Sequence, residues 1–253
     1  MTPIVCITGA TSGIGEATAR KFASEHYNVI ITGRRKERLD LLKTTLEKEH
    51  RISVLSVCFD VRNREEVVRH LGNLPSEWEN IDILVNNAGL AAGKEPIQEG
   101  DNDDWERMID TNIKGLLYVT KTLLPKMCER KKGHIINLCS TAGKEVYPGG
   151  NVYCATKHAV DAISKGIRMD ALPYHVKVTN ICPGAVETEF SLVRFHGDQS
   201  KADATYVGYQ PLTGKDIADI IYYCATLPAH VNINDLVVTP TAQAGATLFC
   251  KDK

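Results

Sequence analysis

The sequence predicts an α/β fold of one domain: a doubly wound sheet of seven parallel strands with helices on both faces. Three observations carry that expectation. Short β-branched runs alternate with longer amphipathic stretches along the whole chain. The runs hold few charges, as strands covered on both faces do. Across 253 residues nothing reads as a linker, a low-complexity tract or an internal repeat, so 1–253 is taken as one unit.

The elements follow in order. Ile4–Thr8 is the first strand and runs through a glycine-rich turn into a helix. Asn28–Thr32 is the second, followed by an amphipathic helix over Arg35–His50. Ile52–Val57 and Ile81–Val85 are the third and fourth. A helix is expected over Trp105–Arg130, introduced by Asp101, Asp103 and Asp104, whose charges suit the positive end of a helix dipole. His134–Leu138 is the fifth strand, Asn151–Leu172 the next helix, and Val176–Ile181 the sixth strand. In Lys215–Thr226, Ile217, Ile220, Ile221 and Cys224 recur at helical spacing. Leu236–Thr239 is the seventh strand. Only 189–211 is irregular and polar enough for a long functional loop.

Composition narrows the class of protein. Thirty basic against 31 acidic residues give a net charge of −1, which argues against bulk nucleic-acid binding. No apolar run approaches the roughly 18 residues of a membrane span. Met1-Thr2-Pro3 leads straight into a strand without a basic stretch or cleavage site, so no secretory signal is read. Eight cysteines form no C-x-x-C pair, and several lie in apolar runs, which suggests reduced core residues in a cytoplasmic protein.

The first chemical signal is Thr8-Gly9-Ala10-Thr11-Ser12-Gly13-Ile14-Gly15, between an apolar strand and a helix. Glycines there permit a tight turn and let backbone N–H groups approach a pyrophosphate at the helix N-terminus. Three residues separate the first two glycines, so the spacing departs from G-x-G-x-x-G. The end of the second strand distinguishes the nicotinamide cofactors. An acidic residue there would accept from a ribose 2′-hydroxyl, but the chain has Gly33-Arg34-Arg35. Two guanidinium groups suit the 2′-phosphate of NADP(H), and cations at a helix start otherwise oppose its dipole at a cost of about 0.3–1 kcal/mol.

The second signal is Ser140 followed by Tyr153-Cys154-Ala155-Thr156-Lys157. Tyr153 and Lys157 stand four residues apart on one helix face. Free tyrosine ionises near pH 10, and a neighbouring ammonium favours the phenolate. Lowering that value by about 2–3 requires roughly 3–4 kcal/mol. Ser140, at a strand's C-terminal end, is placed to hold a substrate oxygen. The histidines show no metal-ligand spacing, and His158 reads as an ordinary residue of the tyrosine helix.

With these pieces together, the chain resembles the short-chain dehydrogenase/reductase family, a Rossmann-fold family, along its length. The resemblance rests on the T-G-x-x-x-G-I-G loop, Asp60-Val61, Asn86-Asn87-Ala88-Gly89, Asn112, Ser140, Tyr153-x-x-x-Lys157 and Pro183-Gly184. It implies that Asp60 and Val61 meet the adenine and that Asn87, Ala88 and Gly89 line the cofactor cleft. It further implies that Lys157 binds the nicotinamide ribose and that Asn112 helps hold a proton-relay water. Pro183, Gly184, Val186 and Thr188 would position the nicotinamide. Cys139 and Cys154 occupy places where glycine or serine is common, which touches pocket shape and no catalytic group.

Further segments narrow the branch: Gly33-Arg34-Arg35-x-Glu37-Arg38-Leu39, Asn151-Val152-Tyr153, Arg194-Phe195-x-Gly197-Asp198 and Thr226-Leu227-Pro228-Ala229-His230-Val231-Asn232-Ile233-Asn234. They resemble NADP-dependent 3-hydroxy acid dehydrogenases, also described as serine or L-allo-threonine dehydrogenases. That likeness implies short hydroxy acid or semialdehyde substrates, a homotetramer and a cytoplasmic setting. Two alternatives stand beside it: a reductase of larger carbonyls on the same core, and an NADP-sensing regulator without turnover. Arg194 is either a clamp for the substrate carboxylate, a solvated loop charge, or a partner of Glu187, Glu189 or Asp198.

Overall fold

Apolar runs Ile4–Ile7 (β1), Asn28–Gly33 (β2), Val54–Cys58 (β3), Ile83–Asn86 (β4), Gly133–Leu138 (β5), Val176–Pro183 (β6) and, after a two-residue pair, Asp235–Val238 (β9) build one sheet. The two-residue pair is Val186–Glu187 (β7) with Leu212–Thr213 (β8). In this computed structural model, which describes residues 2–252, the large sheet has the order β3-β2-β1-β4-β5-β6-β9. Every pairing is parallel, with Val5 opposite both Val29 and Ile83. The seven-stranded, doubly wound expectation holds. The order reverses between β1 and β4, and the crevice at their C-terminal ends is where such sheets take ligands.

Alternation along the strands feeds two cores. Ile4, Cys6, Ile30, Leu84, Ile135 and Val178 face one side, against Val67, Leu123 and Val160. Val5, Ile7, Val29, Ile31, Ile136 and Ile181 face the other, against Phe22, Leu39 and Ile217. The helices supplying those partners are α1 (Gly13–Ser24), α2 (Lys36–His50), α3 (Arg64–Leu71), α5 (Leu116–Arg130), α6 (Asn151–Ala171) and α9 (Gly214–Thr226); α4 (Asn102–Ile109), α7 (Phe190–Arg194) and α8 (Gln199–Ala204) complete the set.

The structure corrects the sequence reading at three places. The helix expected from Trp105 begins at Asn102, because Asp101 caps it by accepting from the Asp103 and Asp104 amides. The same helix is interrupted by a π segment, Asp110–Gly115, between α4 and α5. The stretch 189–211 is not irregular: it holds α7 and α8, the second capped by Asp198 accepting from Lys201 N–H. Cys6, Cys139, Cys154, Cys182 and Cys224 are buried in the core as expected, whereas Cys58 and Cys250 are exposed. Among the described residues no helix is long and apolar enough to cross a membrane.

Candidate active site

The turn after β1 is shaped by glycine and fastened by β4. Gly9 has φ +68°, and a Cβ there would stand 2.9 Å from the Ala88 Cα. Thr8 Oγ1 accepts from the Asn87 and Ala88 amides at 3.0 Å each, and Asn87 Nδ2 donates to Thr8 O at 2.9 Å. Ser12, the N-cap of α1, makes no side-chain cap hydrogen bond. Its Oγ instead accepts from Arg35 at 2.8 Å. The first-turn amides of α1 therefore have no side-chain competitor for an anion.

All the sequence-predicted site residues line one continuous cleft of about 920 Å³, except Gly15 and Asn112. Gly15 lies back from the wall, pressed against Gly9 and the Asn87 side chain, so its contribution is to the shape of the turn. Asn112 sits buried in the π segment. Its Oδ1 accepts from Leu90 N–H at 2.9 Å, and its Nδ2 donates to Leu90 O at 2.8 Å and Thr156 Oγ1 at 3.0 Å. That leaves one Oδ1 lone pair for a water.

At the β2 end of the cleft, Arg34 is largely exposed, with Asp60 at 3.6 Å. Asp60 also accepts from Arg62 Nη2 at 2.7 Å. Burial pushes the Asp60 pKa up, but the Arg62 hydrogen bonds outweigh it and hold the carboxyl below its ordinary range. Arg35 caps α2 and donates to Thr11 Oγ1, Ser12 Oγ and, through Nη1, Glu189 at 2.8 Å. The anion that a cationic helix start calls for is thus partly supplied by the chain itself.

At the other end, α6 buries Tyr153 and Lys157 on its inner face. Lys157 Nζ donates to Leu138 O at 2.8 Å and lies 5.9 Å from the centre of the Tyr153 ring. Burial lowers the Lys157 pKa, partly offset by the thiols of Cys139 and Cys182. The Tyr153 pKa goes the opposite way from the sequence expectation. Burial raises it well above 10, while the Ser140 hydroxyl and the Arg194 charge pull it down. Ser140 begins a short 3₁₀ turn, accepting from Ala142 N–H at 3.1 Å and donating to Pro183 O at 3.4 Å.

Arg194, at the end of α7, reaches over this centre. Its guanidinium lies 5.6 Å from the middle of the Tyr153 ring and 5.5 Å from that of Tyr147. Nη1 donates to Tyr147 Oη at 2.9 Å and Nε to Gly93 O at 3.3 Å. Nη2 is buried without a hydrogen-bond partner among the described residues. No ion pair forms with Glu187, Glu189 or Asp198; Glu189 serves Arg35 and Arg38 instead. Sequence reasoning missed Tyr147, whose only signal is an aromatic before Pro148-Gly149-Gly150 at the entrance to the tyrosine helix. It also missed Phe249 and Lys251, which bring the C-terminal segment to the cleft.

Residues 3–197 match the short chain dehydrogenase family. The chain is 52% identical over 246 residues to the NADP-dependent 3-hydroxy acid dehydrogenase YdfG of Escherichia coli (strain K12), covering 97% of this chain and 98% of that one. It is 48% identical over 245 residues to sulfoacetaldehyde reductase 2 of Chromohalobacter salexigens, covering 96% of each. Its fold superimposes on the closed form of a serine dehydrogenase complexed with NADP+ with a TM-score of 0.92. That match has 49% identity and covers 99% of this chain and 100% of the other.

Proposed function

The chain belongs to the short-chain dehydrogenase family, and on that premise we propose that it transfers hydride between NADP(H) and the 3-hydroxyl or 3-oxo group of short 3-hydroxy acids. Serine, L-allo-threonine, 3-hydroxyisobutyrate and malonate semialdehyde are the compounds of this class. The single observation that carries the substrate class is Arg194. A buried guanidinium nitrogen without a partner, above a tyrosine on the Tyr-x-x-x-Lys face, suits a small molecule with a carboxylate a few atoms from its hydroxyl.

The residues fit the cofactor. Arg34 and Arg35 would hold the 2′-phosphate, and Thr11, Ser12, Gly13 and Ile14 the diphosphate. Asp60 and Val61 would hold the adenine, with Asn87, Ala88 and Gly89 along the cleft. Pro183, Gly184, Val186 and Thr188 would flank the nicotinamide, and Lys157 its ribose. Bound NADP+ supplies the hydride acceptor, and NADPH the donor.

In oxidation Tyr153 Oη takes the hydroxyl proton while Ser140 Oγ holds the same oxygen; in reduction Tyr153 returns the proton. Burial alone opposes the phenolate, so it has to be made by nearby charge. At an effective dielectric constant of about 20, a cation about 6 Å away is worth roughly 2.8 kcal/mol, about a hundredfold in the phenolate's favour. Lys157 and Arg194 both stand at that range from the ring. Asn112, through its remaining lone pair, would carry the proton onward by a water. Oxidation of a 3-hydroxy acid yields a β-oxo acid, which can lose carbon dioxide unaided.

A second reading is reduction of short sulfonated aldehydes, supported by the likeness to the sulfoacetaldehyde reductase. The buried cation weighs against large neutral carbonyls, and the Ser140, Tyr153 and Lys157 set weighs against a sensor without turnover. We also propose a cytoplasmic setting and a homotetramer, the assembly supported by exposed Leu117, Met169 and Leu172 on or beside α5 and α6. The test of function is NADP(H) turnover across the four compounds above, sulfoacetaldehyde and neutral ketones. Highest kcat/KM on a carboxylate is expected; preference for neutral ketones would refute the reading.

A further inference from the structure

Glu189 crosses the mouth of the cofactor cleft. It directly follows Thr188 on the nicotinamide side and is the N-cap of α7. Its carboxylate grips two guanidinium groups at the adenosine side: Oε2 accepts from Arg35 at 2.8 Å and Oε1 from Arg38 at 2.6 Å. These partners lie 154 and 151 residues away in sequence. Arg35 and Arg38 are joined in turn to the turn after β1. Arg35 bonds Thr11 Oγ1 and Ser12 Oγ, and Arg38 Nη1 donates to Thr11 O at 3.4 Å. The Thr188 side chain faces Gly13, close enough that a Cβ on that glycine would stand 3.1 Å from the Thr188 Cβ. The connection therefore passes over the phosphate-binding turn, joining both sides of the cleft.

We propose that Glu189 is a cofactor-retaining residue, its carboxylate closing an ionic clasp with Arg35 and Arg38 over the dinucleotide. A carboxylate beside the 2′-phosphate site could instead compete with that phosphate, and the geometry decides against it. Glu189 uses a single N–H of Arg35, whose Nε and Nη2 point at the turn, and it leaves Arg34 untouched. Two guanidinium groups against one carboxylate leave the cluster cationic. Although burial pushes the Glu189 pKa up, the two arginines draw it down to about 2, so the clasp stays ionised at neutral pH. Both sides of the pairs are partly exposed, so salt weakens them. The same residue anchors the start of α7, whose far end carries Arg194. The clasp rests on the cleft taking NADP(H).

Release of NADPH is followed by stopped-flow fluorescence without substrate, in wild-type protein, Glu189→Gln, Arg38→Gln and the double variant. Arg38 does not line the cleft, so it reports on the clasp and not on phosphate contact. Each single variant is expected to release NADPH about two- to fivefold faster, and the double variant no more than about twofold beyond the faster single. Rising salt should speed release more steeply from the wild type than from the double variant, which keeps only the Arg34 and Arg35 contacts to the phosphate. Unchanged release, tighter NADPH binding by Glu189→Gln, or fully additive losses would overturn the clasp. Wild-type protein that fails to bind NADPH would overturn the cofactor reading beneath it, a distinct result.

Discussion

Replacing Arg194 by methionine tests the substrate assignment most directly. The substitution keeps a flexible apolar side chain between the Tyr147 and Tyr153 rings and removes the guanidinium. The backbone link that seats α7, Gly93 N–H donating to Arg194 O at 3.0 Å, does not depend on the side chain. What disappears is the unpartnered Nη2 and the two donations to Tyr147 Oη and Gly93 O. A hydrogen bond to a charged group contributes about 1.5–3 kcal/mol, so losing one carboxylate contact lowers kcat/KM roughly 10- to 150-fold. The assay compares L-allo-threonine oxidation with reduction of a neutral ketone by the same preparation. Loss on the acid with near-constant activity on the ketone is expected. Equal losses on both substrates would refute the clamp and leave Arg194 as an organiser of the loop.

Tyr153→Phe keeps the ring packed against Phe190 and removes the transferable proton, so NADPH should still bind while turnover largely vanishes; turnover within tenfold of wild type would refute its acid/base role. NADPH should exceed NADH in kcat/KM by at least about 100-fold, roughly 2.7 kcal/mol, and neutralising Arg34 and Arg35 together should erase most of that preference. His134 is buried, its Nε2 is 2.8 Å from Thr179 Oγ1, and burial pushes its pKa down from 6.5 to about 3. Between those values the unfolded chain binds a proton that the folded chain refuses, so stability falls as pH drops below 6.5. By pH 5 the loss is roughly 2 kcal/mol, measured by denaturant titration at pH 7 and 5. The loss should shrink in His134→Asn; an identical pH slope in that variant would refute the assignment. Light scattering at micromolar concentration should give four times the chain mass, and a monomer would refute the assembly.

The fold was legible because its signals are local and redundant. The inner strands of the large sheet are buried apolar runs, and their period-two alternation serves two helical layers at once, as Ile4 and Cys6 against Val5 and Ile7 illustrate. Boundaries moved by one to three residues where the deciding group was a cap. Asp101 and Asp198 are cap residues that could have been read; the Asp110–Gly115 π segment could not. Its extra residue turns Asn112 toward Leu90, 22 residues away, and Thr156, 44 residues away. No helical periodicity in the segment encodes partners at that separation.

The candidate site divides along the same line. Glycine spacing and the Tyr153–Lys157 interval follow from the geometry of one turn and one helix, so sequence alone located them. Their energetics did not follow, because the Tyr153 pKa depends on how deeply the whole fold buries the ring. Arg194 and Glu189 make the difference plainest. Four acidic residues, Glu187, Glu189, Asp198 and Asp203, lie within ten residues of Arg194 in sequence, yet none neutralises it. One of them, Glu189, stands at the other end of α7 and meets arginines 154 and 151 residues earlier. Glu189 and Arg194 sit at the two ends of α7 and go separate ways, Glu189 to Arg35 and Arg38 and Arg194 to Tyr147 and Gly93. That separation is what leaves the Arg194 guanidinium over Tyr153 without a carboxylate partner among the described residues.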